Sequence, residues 1–455
     1  MAKFPYSFPK NFLWGVAAAS AQIEGATSEG GKGESVWDRF SKTPGKIIDG
    51  TGTDPACDHF HRFASDFAMM RELGVKNYRL SISWPRIYPN GTGDYEPRGL
   101  DFYDRLIDSC LEHGITPWVT LYHWDLPQAL EDQNGWINRA TVDAFANYAQ
   151  TVVKRLSDRV SNWFTLNEMP CFIGLSYETG IHAPGRQENA QLVNQAYHHA
   201  LVAHGHAVAA VREYGSRKAK VGLVHNPPTP IPLTETEADI EAAKIEYARV
   251  TGQLMTPIYT GGYPLQFLRA AGANRPKPLK GDMEIIQRPG DYLGLNLYAG
   301  YFVRAAQSGG RSKKIVPEKL PFPTGFPQGD LPWINITPQT LYWAIRLAHE
   351  VHGVPSFYIS ENGMAADDRV TENGEILDLD RREYLRNYLI GLHRASEEGF
   401  DIRGYFLWTW MDNFEWAEGY SKRFGIVYND YATQTRTPKL SAQWYSRVMA
   451  ENRIV

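Results

Sequence analysis

The sequence is 455 residues long, with 47 basic and 51 acidic side chains, a net charge of −4 and an aromatic content of 13%. That balance excludes the electrostatic footprint of a nucleic-acid or anionic-membrane partner and leaves a neutral one. Residues 1–13 hold no continuous apolar core of the kind a signal peptide needs, and no stretch approaches the roughly 18 apolar residues of a membrane span. The three cysteines, Cys57, Cys110 and Cys171, show no CxxC spacing. A soluble, cytoplasmic protein without a disulfide framework or structural zinc is expected.

Eight short runs rich in β-branched and aromatic residues follow one another along the chain, at 13–20, 77–84, 116–124, 162–168, 220–226, 292–298, 356–362 and 404–410. Each leads into a polar loop and most into a longer segment of helical period. In 54–73, 100–113 and 141–156 apolar residues recur at three and four, and Gly74 or Gly114 follows as a stop. Parallel strands must be joined by such crossovers, and eight repeats close a barrel. The pattern predicts an α/β fold, a single (β/α)8 TIM barrel over 1–455 with its active site at the C-terminal face of the strands. No linker, low-complexity tail or sequence repeat marks a domain boundary. The stretch 299–331 differs, being rich in Gly, Pro, Lys and Arg and too long for an idle connection, and is read as an irregular loop over the site.

In such a barrel the reacting groups come from the C-terminal ends of the strands, where side chains converge on one mouth. Those ends carry Gln22 and Glu24, Arg79 and Trp84, His123 and Trp124, Asn167 and Glu168, Asn296 and Tyr298, Glu361 and Asn362, and then Trp408, Trp410, Glu415 and Trp416. Two glutamates close apolar runs, Glu168 after Phe164-Thr165-Leu166-Asn167 and Glu361 after Tyr358-Ile359-Ser360. Glycoside hydrolysis needs such a pair, one carboxylic acid to protonate the departing oxygen and one carboxylate to attack or to activate water. Position alone leaves open that either is half of a structural ion pair. The aromatic residues at the run ends suit stacking on sugars and equally suit a core.

At these residues the sequence resembles glycoside hydrolase family 1, from Phe8-Pro9-Lys10-Asn11-Phe12-Leu13-Trp14-Gly15 to Arg436-Thr437-Pro438-Lys439. Between them lie Ser20-Ala21-Gln22-Ile23-Glu24-Gly25, Tyr122-His123-Trp124-Asp125-Leu126-Pro127, Ser360-Glu361-Asn362-Gly363 and Asn413-Phe414-Glu415-Trp416. The resemblance implies a retaining β-glucosidase that acts on small β-glucosides and oligosaccharides such as cellobiose through a covalent glycosyl-enzyme, with no cofactor or metal. It implies Glu168 as acid/base and Glu361 as nucleophile, with Arg79 and Tyr298 keeping the nucleophile ionised and oriented. By the same resemblance Asn167 would bond the 2-hydroxyl, Gln22, His123 and Glu415 would take other hydroxyls, and Trp416 would meet the 3-hydroxyl. Trp408 would be the stacking platform, while Trp124, Asn296 and Phe424 would complete the pocket; Cys171 and Trp333 fall on the aglycone side. Two departures stand out: Asn167-Glu168-Met169-Pro170 replaces the family's Asn-Glu-Pro, and Ser360 its usual Thr. The displaced proline changes which residue has its φ fixed after the acid/base, and bears on the entrance near Cys171 and Phe172.

Other readings make different demands. A 6-phospho-β-glycosidase would replace Glu415 with a small residue and recruit a basic pocket, because a carboxylate facing the 6-position repels phosphate. A member leaning toward galactosides or fucosides differs by the orientation of single hydroxyls. A non-catalytic sugar-binding barrel would have no reason to keep both carboxylates, and a metal-dependent lyase or isomerase using His123 and Asp125 would lose activity in chelator. Gly30-Gly31-Lys32-Gly33 lacks the spacing of a phosphate loop. His198, His199, His204 and His206 crowd one predicted helix without an accompanying carboxylate at metal spacing, and are read as packed or solvated.

Overall fold

The computed structural model describes residues 6–307 and 314–455. Strands β1 (Leu13–Ala17), β2 (Asn77–Ser81), β3 (Thr116–Tyr122), β4 (Asn162–Asn167), β5 (Lys220–His225), β6 (Tyr292–Asn296), β7 (Phe357–Asn362) and β8 (Ile402–Trp408) run parallel and close a barrel in sequential order, β8 pairing back onto β1. Each overlaps one of the predicted runs. Helices α1 (His59–Glu72), α2 (Pro97–Glu112), α3 (Ala140–Leu156), α4 (Ala190–Tyr214), α5 (Glu237–Thr260), α6 (Thr340–His352) and α7 (Leu379–Glu397) make the crossovers, and α8 (Leu440–Glu451) follows β8. No helix among the described residues is long and apolar enough to cross a membrane.

Local chemistry sets the helix ends. Pro97 stands in the first turn of α2, where its missing N–H forfeits no bond, and the Glu96 carboxylate accepts from Arg98 N–H. The Asn189 side chain caps α4 by accepting from the N–H groups of Gln191 and Leu192. Gly74 and Gly114, at φ 79° and 73°, take the left-handed turn just past α1 and α2 that a β-carbon would strain. Along α2, Leu100, Phe102, Tyr103, Leu106, Ile107 and Cys110 face inward while Asp101, Arg105 and Asp108 are exposed, the two faces of one amphipathic period.

Rings fill the barrel floor. Trp118 lies 4.8 Å from Tyr358 and 5.2 Å from Phe406, and Tyr292 lies 4.9 Å from Tyr358 and 5.3 Å from Phe164, between centroids. Glycines on the strands make room for them: a β-carbon on Gly15 would stand 2.7 Å from the Phe406 ring and one on Gly294 2.8 Å from Phe164. The interior is a packed core, and chemistry is left to the mouth. Below that floor the two ends of the described chain pair, Phe8 N–H with Asn452 O at 3.0 Å, Ile454 N–H with Tyr6 O at 3.2 Å and Trp14 Nε1 with Asn452 Oδ1 at 2.8 Å.

Two irregularities of register aim the site. β4 shifts against β5 between Phe164 and Asn167, and β7 shifts against β6 between Ile359 and Glu361. Bulges redirect the side chains that follow, and both fall just before or at the two glutamates.

The reading of 299–331 as an irregular loop is corrected. Gly300–Gln307 and Ile315–Lys319 pair antiparallel, and Thr229–Pro232 joins the first in parallel, giving a small sheet beside α5; positions 308–313 lie outside the described residues. Ala305 N–H donates to Asp239 Oδ1 at 2.8 Å and Tyr301 Oη to Glu246 Oε1 at 3.1 Å, which ties the sheet to that helix. The outer strand is partly wet on both faces, so it carries charge and proline in place of a clean alternation. Among the described residues of the stretch, only Leu331 at its end lines the mouth, with Trp333 beyond it.

Candidate active site

A cavity of about 500 Å³ opens at the C-terminal ends of the strands, and both glutamates line it together with His123, Trp124, Tyr298, Trp408, Glu415, Trp416 and Phe424. Glu168 follows β4 directly, its N–H donating to Val224 O at 3.1 Å and its φ standing at 53°. Trp124 at 75° and Trp416 at 51° share this left-handed conformation. Such backbone costs about 1–3 kcal/mol for a residue other than glycine and persists only where the surroundings fix it, as at functional sites.

The two carboxyls have different neighbours. Glu361 Oε1 pairs with Arg79 Nη1 at 2.5 Å, and its Oε2 accepts from Tyr298 Oη at 2.7 Å. Arg79 is held in turn, donating to Thr120 Oγ1 and Ser360 O, both at 3.1 Å, and to Asn167 Oδ1 at 2.6 Å. Glu168 pairs with no cation among the described residues: Oε1 accepts from Asn296 Nδ2 at 2.6 Å and Oε2 from the Cys171 thiol at 3.0 Å. Burial pushes both carboxyls up, but the guanidinium and phenol oppose it at Glu361, whereas the Glu361 charge reinforces it at Glu168. One proton shared by the pair therefore belongs on Glu168, and the negative charge on Glu361.

The remaining wall carries further polar side chains. Burial, reinforced by Arg79, holds His123 well below the usual imidazole range, so the ring is neutral. Its Nε2 accepts from Asn167 Nδ2 at 3.1 Å, and the ring stacks on Trp408 and Trp416 at 5.7 and 5.9 Å. Burial first, and then the Glu361 charge, push Glu415 to about 8. Gln22 is wholly buried behind it, its Nε2 donating to Phe414 O at 2.9 Å and to Asn413 Oδ1 at 3.1 Å, while Oε1 has no protein partner among the described residues. Trp124 commits its Nε1 to Asn167 O at 2.8 Å and packs on Trp416 at 4.5 Å, so it serves as wall. Phe424 and Trp333 meet the Tyr298 ring edge-on at 6.0 and 5.7 Å, Trp333 being 53% exposed at the rim.

Some strand-end residues serve the scaffold. Glu24 is bound by Arg86 at 3.1 Å and Tyr103 at 2.6 Å, Trp84 stacks on Tyr148 in the core, Trp410 is buried, and Asn362 Nδ2 donates to Leu297 O at 2.6 Å. On α4, His198 bonds Asp282 at 2.8 Å, a carboxylate 84 residues away in the chain, His199 bonds Trp136 O and His204 bonds Thr165 Oγ1. These are packed histidines, and no group of three or more ligating side chains suited to a metal occurs among the described residues. The sequence reading missed Leu175, Ile181, His182, Asn226 and Glu418, which also line the cavity. Asn226 closes the fifth predicted run and the strand-end argument reaches it. Leu175 lies on the π-helix Pro170–Glu178 and His182 just past it, a path that no sequence period announces.

With this geometry in place, the comparisons are consistent. The model of Glycosyl hydrolase family 1 matches residues 4–454. Beta-glucosidase A of Thermotoga maritima is 44% identical over 451 residues, 98% of each chain, and a beta-glucosidase of Agrobacterium sp. is 41% identical over 440 residues, 96% of this chain and 94% of that one. A solved structure of beta-glucosidase from Thermotoga maritima in complex with glucoimidazole superposes with a TM-score of 0.90 at 43% identity, covering 98% of this chain and 99% of that one. Matched in sequence and in fold along almost its whole length, the chain belongs to glycosyl hydrolase family 1.

Proposed function

We propose that this protein is a retaining β-glucosidase that removes the terminal non-reducing β-D-glucosyl residue from small β-glucosides and oligosaccharides such as cellobiose. It works as one catalytic domain, and its three free cysteines suit a reducing, cytoplasmic setting. The β-glucosidase relatives support the reaction class, and the asymmetry of the two carboxyls carries the division of labour. Glu361, ionised between Arg79 and Tyr298, attacks the anomeric carbon while Glu168 gives its proton to the departing oxygen, leaving an α-linked glycosyl-enzyme. Acylal formation removes the Glu361 charge that helped hold the proton on Glu168. Glu168 then takes a proton from water, whose oxygen displaces Glu361 and restores the β configuration. Asn167, oriented by Arg79 and His123, is the group for the 2-hydroxyl.

Azide tests the roles. In Glu168→Ala an activated aryl glucoside still glycosylates Glu361, and azide, needing no base, is expected to accelerate turnover and give the β-glucosyl azide. In Glu361→Ala azide enters beneath the ring and gives the α-glucosyl azide. Both variants should fall by roughly 10³-fold or more without azide. Proton NMR of the product decides, and the opposite anomers would mean reversed roles.

A further inference from the structure

Cys171 stands against the group that must change its protonation state twice per turnover. Its N–H donates to Glu168 O at 2.9 Å, one turn along the chain, which brings its sulfur to 3.0 Å from Glu168 Oε2. The sulfur also accepts from Asn226 Nδ2, at 3.3 Å, from the end of β5. Burial, with the Glu168 charge beside it, pushes the thiol far up, so it keeps its hydrogen. The other oxygen, Oε1, faces a partner that can only donate: the same Asn296 Nδ2 also donates to Asn167 Oδ1 at 3.1 Å, an oxygen that the Arg79 guanidinium marks as an acceptor.

We propose that Cys171 is a positioning residue for the acid/base, the partner that keeps Oε2 of Glu168 hydrogen-bonded in both of its protonation states; this rests on the reading of Glu168 given above. The S–H bond turns freely about Cβ–Sγ. When Glu168 is protonated on Oε2, that O–H rests against sulfur, a weak acceptor that releases it readily to a glycosidic oxygen. Once the proton has left, the thiol turns and donates to the carboxylate. The thiol hydrogen never transfers, so the proton count of the double displacement is unchanged.

Among the described residues, the other charged or titratable groups that act on Glu168 or share its cavity are Arg79 from β2, Glu361 from β7, Tyr298 beyond β6, Glu415 and Glu418 beyond β8, and His123 and His182, which burial keeps neutral. Substitution at 171 leaves all of them in place. The alkaline limb of kcat/KM reports the proton on Glu168, and a donor to the ionised form draws that limb down.

The experiment compares the pH profiles of Cys171→Ala and Cys171→Ser with the parent enzyme on one aryl glucoside. Alanine removes the donor and is expected to move the alkaline limb up by about 0.5–1 pH unit, while serine, a stronger donor, leaves it at or below the parent value. The two replacements vacate nearly the same volume, so a packing role predicts coincident profiles, and coincident profiles would overturn the proposal. Glu168→Ala with azide is run alongside. If azide fails to rescue it, the acid/base reading falls and the thiol's role with it; if rescue succeeds and the serine and alanine limbs coincide, only the role of Cys171 falls.

Discussion

Half-buried beside Gln22, Glu415 joins Glu168, Glu361 and Glu418 in lining the cavity, and no lysine or arginine is among the described residues that line it. A phosphoryl group on the sugar 6-oxygen would bring further negative charge into that enclosure, with no cation among the described lining residues to meet it. Unphosphorylated glucosides should therefore be preferred over their 6-phosphates by at least about 10²-fold in kcat/KM, roughly 2.7 kcal/mol of transition-state stabilisation. Nitrophenyl β-glucoside and its 6-phosphate, assayed side by side, check this, and faster turnover of the phosphate would refute it. The two catalytic candidates and Glu415 were legible in the sequence because each closes or follows a strand with a short, recognisable surrounding motif. The thiol contact to Glu168 was not, since it depends on the turn made after Glu168 by Met169-Pro170-Cys171. Pro170 occupies the first position of the π-helix there, where a missing N–H is tolerated.

At the scale of elements, the segment between β8 and α8 carries Glu415, Trp416 and Phe424 and is tied off by its own ends. Asp412 Oδ1 accepts from Gly425 N–H at 2.9 Å and Oδ2 from Arg423 at 2.7 Å. Lys439 then joins Asp412, at 2.7 Å, to Asp368, at 2.6 Å, and Arg381 joins Asp368 to Arg423 O, both at 2.7 Å. Asp368 lies on the segment that leaves Glu361, so this buried network fixes the Glu361 strand against the loop that carries Glu415 and Trp416. Lys439→Met would leave two buried aspartates short of a cation and should cost about 3–5 kcal/mol in urea unfolding. The KM for glucosides should rise by a larger factor than kcat falls, as the loop loosens. The eight strands could be read because strands buried on both faces appear as continuous apolar runs. The small sheet at Gly300–Gln307 and Ile315–Lys319 could not, because its half-wet faces lack both that continuity and a clean alternation.

The whole molecule buries titratable groups whose demands pull in opposite directions with pH. His182, His204 and His352 are pushed by burial to about 4 and His225 to about 3, below the unfolded value near 6.5. Between those values the unfolded chain binds more protons, so stability rises as pH climbs toward about 6.5. Burial raises Glu415 and Asp125 to about 8, and Glu168 is raised as well. For these the folded chain binds the extra proton, and their contribution, full below about pH 4, is lost as pH climbs through the folded values. Calorimetric melting temperature should therefore peak at about pH 6–7 and fall toward pH 8. Glu415→Gln should make the alkaline fall shallower and the rise above about pH 4 steeper; an unaltered alkaline arm would mean that Glu415 is already ionised in the folded protein at neutral pH. The pairing of Tyr6 and Phe8 with Asn452 and Ile454 beneath the barrel floor has a practical side. A bead, surface or label tethered at Tyr6 or Arg453 hangs from the closed face, and the enzyme so immobilised presents its open mouth to the solution.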